Sequence, residues 1–359
     1  MRVATTVPKN NLKLVPDAAR HVESSGFDSI RMMENSNNPF LSLAVAATVT
    51  ERVELMTGIA IAFARTPMAV AGMSHDLQLA SGGRFKLGLG TQVKGHNERR
   101  FSVPWTPPAP RMREYIEVLR AIWRCWEKGA PADYTGDHYR FTLMTPHFVP
   151  EVTNLPMTPV TVAAVGPAML RLAGSHCDGV QLHPFCTRKY VEDAVLPKLA
   201  EGWVKSGISR ENFEISGGGF VVTGPDEETV AKIFEYVRFR VAFYGSTRAY
   251  WPVFEMHGLH DLGQKLNAMV RAGQWDLMAR EISDDVVHLF AAVGTHDTIA
   301  TAIETRFGGL GDVVDAIHAP DADPGLTPDV IQDIQRIPSR FERFDTQWSY
   351  SVPEARDQT

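Results

Sequence analysis

Two side chains able to move a proton stand where short apolar runs end. Glu34 follows the run Phe27–Met33, and it titrates near neutral pH only if its surroundings raise its pKa. His183 closes the run Gly179–His183, in the stretch VQLHPF, and an imidazole can donate or accept a proton near neutral pH. Glu34 and His183 are therefore the candidate catalytic acids. Asn35, beside Glu34, hydrogen-bonds but has no titratable proton. Each has a plainer reading: an exposed carboxylate at a strand end, and a packed, hydrogen-bonded ring next to Pro184. The 12 histidines show no HxH or HExxH spacing, which argues against a metal-dependent hydrolase.

Glycine-bearing turns supply a second kind of chemistry. In SGGRFKLGLGTQVKGHN, Ser81–Asn97, a turn and a buried run lead into a loop of small and polar residues. Gly90 lets backbone approach a ligand closely. Thr91, Gln92, His96 and Asn97 can add directed hydrogen bonds. In the segment Ala163–Ala168, Gly166 and Pro167 open a helix whose free N–H groups favour an anion. Turns of this composition also serve as ordinary strand exits.

Alternating elements must carry these residues. Strands are expected at Arg2–Val7, Phe27–Met33, Val53–Ile61, Phe85–Leu89, Pro159–Val165, Gly179–His183, Phe213–Thr223 and Asp312–Ile317. Amphipathic or capped stretches between them read as helices, among them Leu14–Ser25, Phe40–Thr50, Pro67–Ala80 and Glu227–Phe243. A hairpin is expected within Asp133–Phe148, and Tyr244–Asp284 reads as a long, irregular aromatic insertion. Eight β/α repeats over residues 1–359 imply a single (β/α)8 barrel of the α/β class, with insertions near 129–158 and 244–294. A doubly wound sheet is the rival, but no G-x-G-x-x-G follows the first strand. In a barrel the site lies at the C-terminal ends of the strands. That end gathers Glu34, Asn35, Gly58–Arg65, Gly90–Asn97, Ala163–Ala168, His183–Phe185 and the neighbourhood of Val222.

Composition sets the outer limits. A formal net charge of −6 offers no basic field for nucleic acid. No apolar run is long enough to span a bilayer, and the start of the chain lacks a secretory signal pattern. Cys125, Cys177 and Cys186 have no CxxC spacing, which fits a reduced, cytoplasmic protein.

The segments GFDSIRMMEN, TGIAIAFARTPM, LASGGRFKLGLGTQVKGHNERRF, RMREYIEVLRAIWRCW and VAAVGPAMLRLAGSHCDGVQLHPF resemble the bacterial luciferase-like superfamily of flavin- and deazaflavin-dependent oxidoreductases. The resemblance covers nearly the whole chain and looks closest to the coenzyme F420-dependent branch. It implies a barrel holding a flat ring at its mouth and a hydride moving to or from the deazaflavin. FMN, in a two-component monooxygenase, is the alternative cofactor, and a non-catalytic flavin- or deazaflavin-binding protein is a third reading. By the same resemblance, Gly58 and Ile59 would form a non-proline cis peptide against the ring. Gly90, Thr91, Gln92, His96 and Asn97 would meet the cofactor's side chain and phosphate. Ala163, Gly166, Pro167 and Ala168 would make a second contact.

Members of the deazaflavin dehydrogenases carry a histidine base where this chain has Asn35, so Asn35 would orient ring or substrate instead. Arg65, Lys94, Arg99 and Arg100 would complement the phosphate and the glutamate tail. Phe40, Phe63, Trp105, Tyr244, Tyr250, Trp251 and Phe254 would line the pocket for a small, apolar or aromatic substrate, since the second half shows none of the grouped basic residues expected of a sugar-phosphate site. Pairing of two copies through Phe40–Val49 and Met68–Ala80 would give a homodimer.

Overall fold

Eight short runs, rich in β-branched and small residues, find parallel partners on both sides. In the computed structural model, which describes residues 1–316 and 325–345, they are β1 (Arg2–Thr5), β2 (Ser29–Met32), β3 (Glu54–Thr57), β4 (Phe85–Gly90), β5 (Val160–Ala164), β6 (Gly179–Leu182), β7 (Glu214–Gly217) and β8 (Val313–Asp315). Each strand pairs with its sequence neighbour, and β1 pairs with β8 through Arg2↔Val313, Val3↔Val314 and Ala4↔Asp315. The sheet is thus a closed (β/α)8 barrel, and closure leaves no strand edge open. Ile317, in the expected eighth strand, lies outside the described residues.

Local chemistry starts and stops the helices. Asn38 caps Pro39–Ala47 by accepting from Phe40 N at 3.0 Å. Thr66 caps Pro67–Ala80 through Ala69 N at 3.2 Å. Gly129, with φ of +65°, ends the helix Pro108–Lys128, a position where other residues are strained. Packing of these helices on the barrel forms the main core, which includes Leu43, Val70, Tyr115, Leu119 and Trp123. Leu41, Met68 and Leu79 stay exposed on the two helices where pairing was expected.

The inside of the barrel is charged rather than oily. Near its base, Lys86 bonds Glu54 at 2.7 Å and Glu214 at 3.0 Å, and Arg2 pairs with the same two carboxylates. Burial alone would raise the Glu214 pKa, but Arg2 and Lys86 outweigh it and hold it at about 2. One layer higher, Arg31 pairs with Asp315 and donates to Gln181 Oε1 at 2.7 Å. Gln181 Nε2 donates to Thr57 O at 3.0 Å and Thr161 Oγ1 at 2.8 Å. Paired and fully hydrogen-bonded charge of this kind is the form in which ions tolerate burial.

Two expectations need correction. Phe213–Thr223 is not one strand. The chain leaves the barrel at Gly217 and Gly218, whose φ values of +77° and +98° suit only glycine. Phe220–Gly224 then pairs in parallel with Ala291–Thr295 in a separate two-stranded sheet. Val222 is consequently buried in a second core. The stretch 244–284 is also not irregular. It contains helices Trp251–Glu255 and His260–Arg271 and a 3-10 segment, Trp275–Glu281, with Asp284–Phe290 following. Its aromatics pack inward on Phe185 and Phe254, so tertiary burial supplied the order that the sequence pattern concealed. The hairpin is present as Tyr134–Thr135 paired with Arg140–Phe141.

A test of the interior layer follows from Gly88. A Cβ there would lie 2.0 Å from both Thr57 O and Gln181 Nε2. Gly88→Ala is expected to cost about 3 kcal/mol through overpacking, read as a lower denaturant midpoint. A wild-type midpoint would mean that the layer adjusts freely.

Candidate active site

The strand ends meet in a mouth floored by small residues. At its β3 side the chain kinks after Thr57, and the Gly58–Ile59 peptide is cis, as the resemblance implied. Ile59 lies over Gly90 so closely that a Cβ on Gly90 would be 2.6 Å from Ile59 Cδ1. Gly58 likewise has no room for a side chain, because Arg31 Nε would lie 2.1 Å from its Cβ. Both glycines are fixed by close approach. Together with Ala163 on β5, they leave a shallow apolar floor crossed by the Ile59 bulge.

Glu34 anchors that bulge. Its backbone N–H donates to Ile59 O at 3.1 Å. Its Oε2 accepts from Ile61 N and from Arg65 Nη1, both at 2.7 Å, and Oε1 accepts from Arg65 Nη2 at 2.8 Å. All three bonds use the carboxyl group as an acceptor. A proton donor is therefore the wrong role for Glu34. It is a positioning residue, and Arg65 is taken up by it rather than left for a cofactor. Asn35 is exposed and accepts from Lys9 Nζ at 3.0 Å and from Ser36 N at 2.7 Å, while its carbonyl accepts from Arg100 at 2.8 Å.

The loop after β4 is partly as expected. Thr91 and Gln92 line its start, and Gln92 takes a left-handed φ of +55° with its Oε1 accepting from Val93 N at 2.9 Å. His96 is exposed on the short helix Lys94–Arg100. Asn97 uses its amide nitrogen within the loop and leaves its Oδ1 without a partner among the described residues. It is buried, and its Nδ2 donates to Thr91 O at 2.9 Å and Val93 O at 3.2 Å. It clamps the loop from behind. After the neighbouring strand β5, Gly166, Pro167 and Ala168 are exposed at the N-terminus of the helix Pro167–His176, with no side-chain cap. A Cβ on Gly166 would meet nothing within 4 Å, so that terminus is open to a ligand. Free amides at such an end suit a phosphate.

His183 stands just past the end of β6, next to β5 in the barrel. Phe185 N donates to its Nδ1 at 3.0 Å, which leaves the ring proton on Nε2. Tyr244 meets it edge-on at 4.3 Å and Tyr250 lies at 4.6 Å. Burial first, and the Arg240 charge second, lower its pKa to about 3. His183 is thus a neutral hydrogen-bond donor at physiological pH and not a proton reservoir, which corrects its expected role as an acid. Of the expected pocket aromatics, Tyr244 and Tyr250 flank this histidine. Phe40, Phe63 and Phe254 are buried in cores instead. The interior residues Arg31, Gln181 and Asp315 and the wall residue Arg240 escaped the sequence reading. The signals were polar residues within apolar strands and the four-residue spacing of Tyr236, Arg240 and Tyr244.

Comparison with known proteins now has a geometry to rest on. The profile of the luciferase-like monooxygenases matches residues 2–312. The chain belongs to that family. It is 44% identical over 305 residues to an uncharacterized protein of Mycobacterium tuberculosis, covering 85% of this chain and 90% of that one. A putative coenzyme F420-dependent oxidoreductase of the same organism is 29% identical over 312 residues, covering 81% and 86%. Among solved structures, the coenzyme F420 dependent tetrahydromethanopterin reductase from Methanopyrus kandleri superposes with a TM-score of 0.73 at 20% identity, covering 94% of this chain and 97% of that one. That likeness concerns the fold.

Two measurements check the roles drawn here. Glu34→Ala leaves a largely buried Arg65 without its partner and should destabilise the luciferase-like barrel by about 3 kcal/mol. Glu34→Gln should cost less, because the amide oxygen still accepts. Equal midpoints for wild type and Glu34→Ala would remove the anchor. In a proton NMR titration, one histidine resonance, missing from His183→Gln, should stay fixed from pH 8 to pH 5, since His183 charges only toward pH 3. A midpoint near the ordinary value of about 6.5 for that resonance would return His183 to the role of acid.

Proposed function

We propose that the chain is a coenzyme F420-dependent oxidoreductase that moves a hydride between the deazaflavin and a small organic substrate with an apolar or aromatic body. The observation that carries this reading is the Ile59 bulge over Gly90, facing an open, uncapped helix N-terminus at Gly166. A flat ring needs the first and a phosphate-bearing side chain needs the second. The named F420-dependent relative adds to it.

Each residue then has a task. Ile59, Gly58 and Gly90 support one face of the ring. Thr91, Gln92 and the amides at Gly166–Ala168 hold the side chain and its phosphate, with Asn97 fixing the loop from behind. His96 and Arg100 lie on the adjoining short helix, where charge and hydrogen bonds can meet an anionic tail. When bound, the deazaflavin supplies or accepts the hydride. The His183 Nε2–H steadies charge that develops on the substrate, a contribution of the kind worth about 10²-fold. Tyr244 and Tyr250 keep water from that side. Neither Glu34 nor His183 is suited to give up a proton, so the proton that accompanies reduction comes from solvent.

The rival is an FMN-dependent monooxygenase, which the family's description favours. Fluorescence titration with F420 and with FMN separates them. F420 should bind at least tenfold more tightly, and Gly166→Val should weaken it while leaving the unfolding midpoint unchanged, because its side chain meets only a ligand. Tight FMN binding without F420 binding rejects the proposal.

A further inference from the structure

The helix Glu227–Gly245 carries Tyr236, Arg240 and Tyr244 one turn apart, so their side chains share a face. Arg240 Nη1 donates to the Tyr236 hydroxyl at 3.1 Å, and Nη2 donates to the Tyr244 hydroxyl. The guanidinium carbon lies 4.9 Å from the centre of the Tyr244 ring. On its other side, that ring touches His183. The cluster therefore stands at the substrate side of the barrel mouth.

Its charge is unbalanced. Arg31, Arg65 and Arg238 each hold a carboxylate. Arg240 has no such partner among the described residues, and its buried Nε has no hydrogen-bond acceptor. Phenol oxygens are neutral, and they satisfy donors without cancelling charge. A half-buried guanidinium without a counter-ion is costly. The two phenols also keep their own protons, for which no protein acceptor exists among the described residues. One guanidinium with two O–H groups polarised by it forms a donor set whose natural complement is an anion.

We propose that Arg240, with Tyr236 and Tyr244, binds a carboxylate on the substrate, whose apolar or aromatic body lies against Tyr244, Tyr250 and His183. The substrate class is thus a planar organic acid. This rests on the oxidoreductase reading above and narrows it. A carboxylate fits better than a phosphate because one planar fork is present and no second cation joins it among the described residues. The low pKa of His183 agrees, since part of it comes from the same uncompensated charge.

Cinnamate and its neutral isostere cinnamamide test the assignment by calorimetry, with and without F420. Wild type should prefer the acid at least tenfold. Arg240→Gln should lose that preference and keep its affinity for the amide, and Arg240→Lys should retain part of it. Equal affinity for acid and amide in wild type overturns the proposal. So does failure of wild type to bind cinnamate, or a loss of both ligands alike in Arg240→Lys, which would make Arg240 only a brace for the two tyrosines. F420 is titrated into each variant in parallel. Unchanged F420 binding without acid preference overturns this inference alone. An acid preference that vanishes in Arg240→Gln, in a chain that binds FMN and not F420, supports this inference and overturns the cofactor reading.

Discussion

Everything at the mouth depends on charge held inside the barrel. Arg31 spans the interior from β2 to Asp315 on β8 and Gln181 on β6. An ion there is tolerable only if every donor finds an acceptor. Gln181 completes the set by bonding Thr57 and Thr161. The side chains fit because β3 and β4 contribute Gly58 and Gly88, where any Cβ would collide. Five strands, β2, β3, β5, β6 and β8, and the Gly58 kink are thereby locked to one another. A floor made of backbone needs such support, since glycine itself has no side chain to hold it in place.

Glu34 extends the same logic outward. Its carboxylate joins Ile61 and Arg65 and so ties the bulge to β2. Asn97 does the equivalent for the loop after β4. Both residues looked chemical in the sequence because they are polar, Glu34 at a strand end and Asn97 in the loop that follows a strand. In the structure the Glu34 oxygens are taken by backbone and by Arg65 and the Asn97 amide nitrogen by backbone, while the buried Asn97 Oδ1 has no partner among the described residues. What stays open for a ligand is mostly backbone: the turn at Thr91 and Gln92, and the helix start at Gly166.

The sequence made the barrel legible because parallel strands with short connections leave a strong pattern of apolar runs and capped helices. The cis peptide and the two glycine-bearing turns were legible through the family's motifs. The break after β7 was less so. Gly217–Gly219 allowed either a continuous strand or a turn, and only the pairing of Phe220–Gly224 with Ala291–Thr295 decides it. The roles of Glu34 and His183 were not legible, because a role depends on partners distant in sequence. Arg65 lies 31 residues from Glu34, and Tyr244 and Arg240 come from another helix altogether. Polar residues in β2, β6 and β8 read as interruptions, although they form the interior network.

His183 marks the seam between two independently packed regions. Its backbone belongs to the end of β6, while its ring packs on Tyr244 and Tyr250. Two residues on, Phe185 stacks on Phe290 at 4.4 Å and meets Phe254 at 5.0 Å, within the second core. The floor with Ile59, Gly90 and Gly166 is built on the first core, and the wall with Arg240 on the second. Close packing transmits a change mainly to its own neighbours. Aromatic and charged residues of the wall can therefore vary without disturbing the glycine cradle.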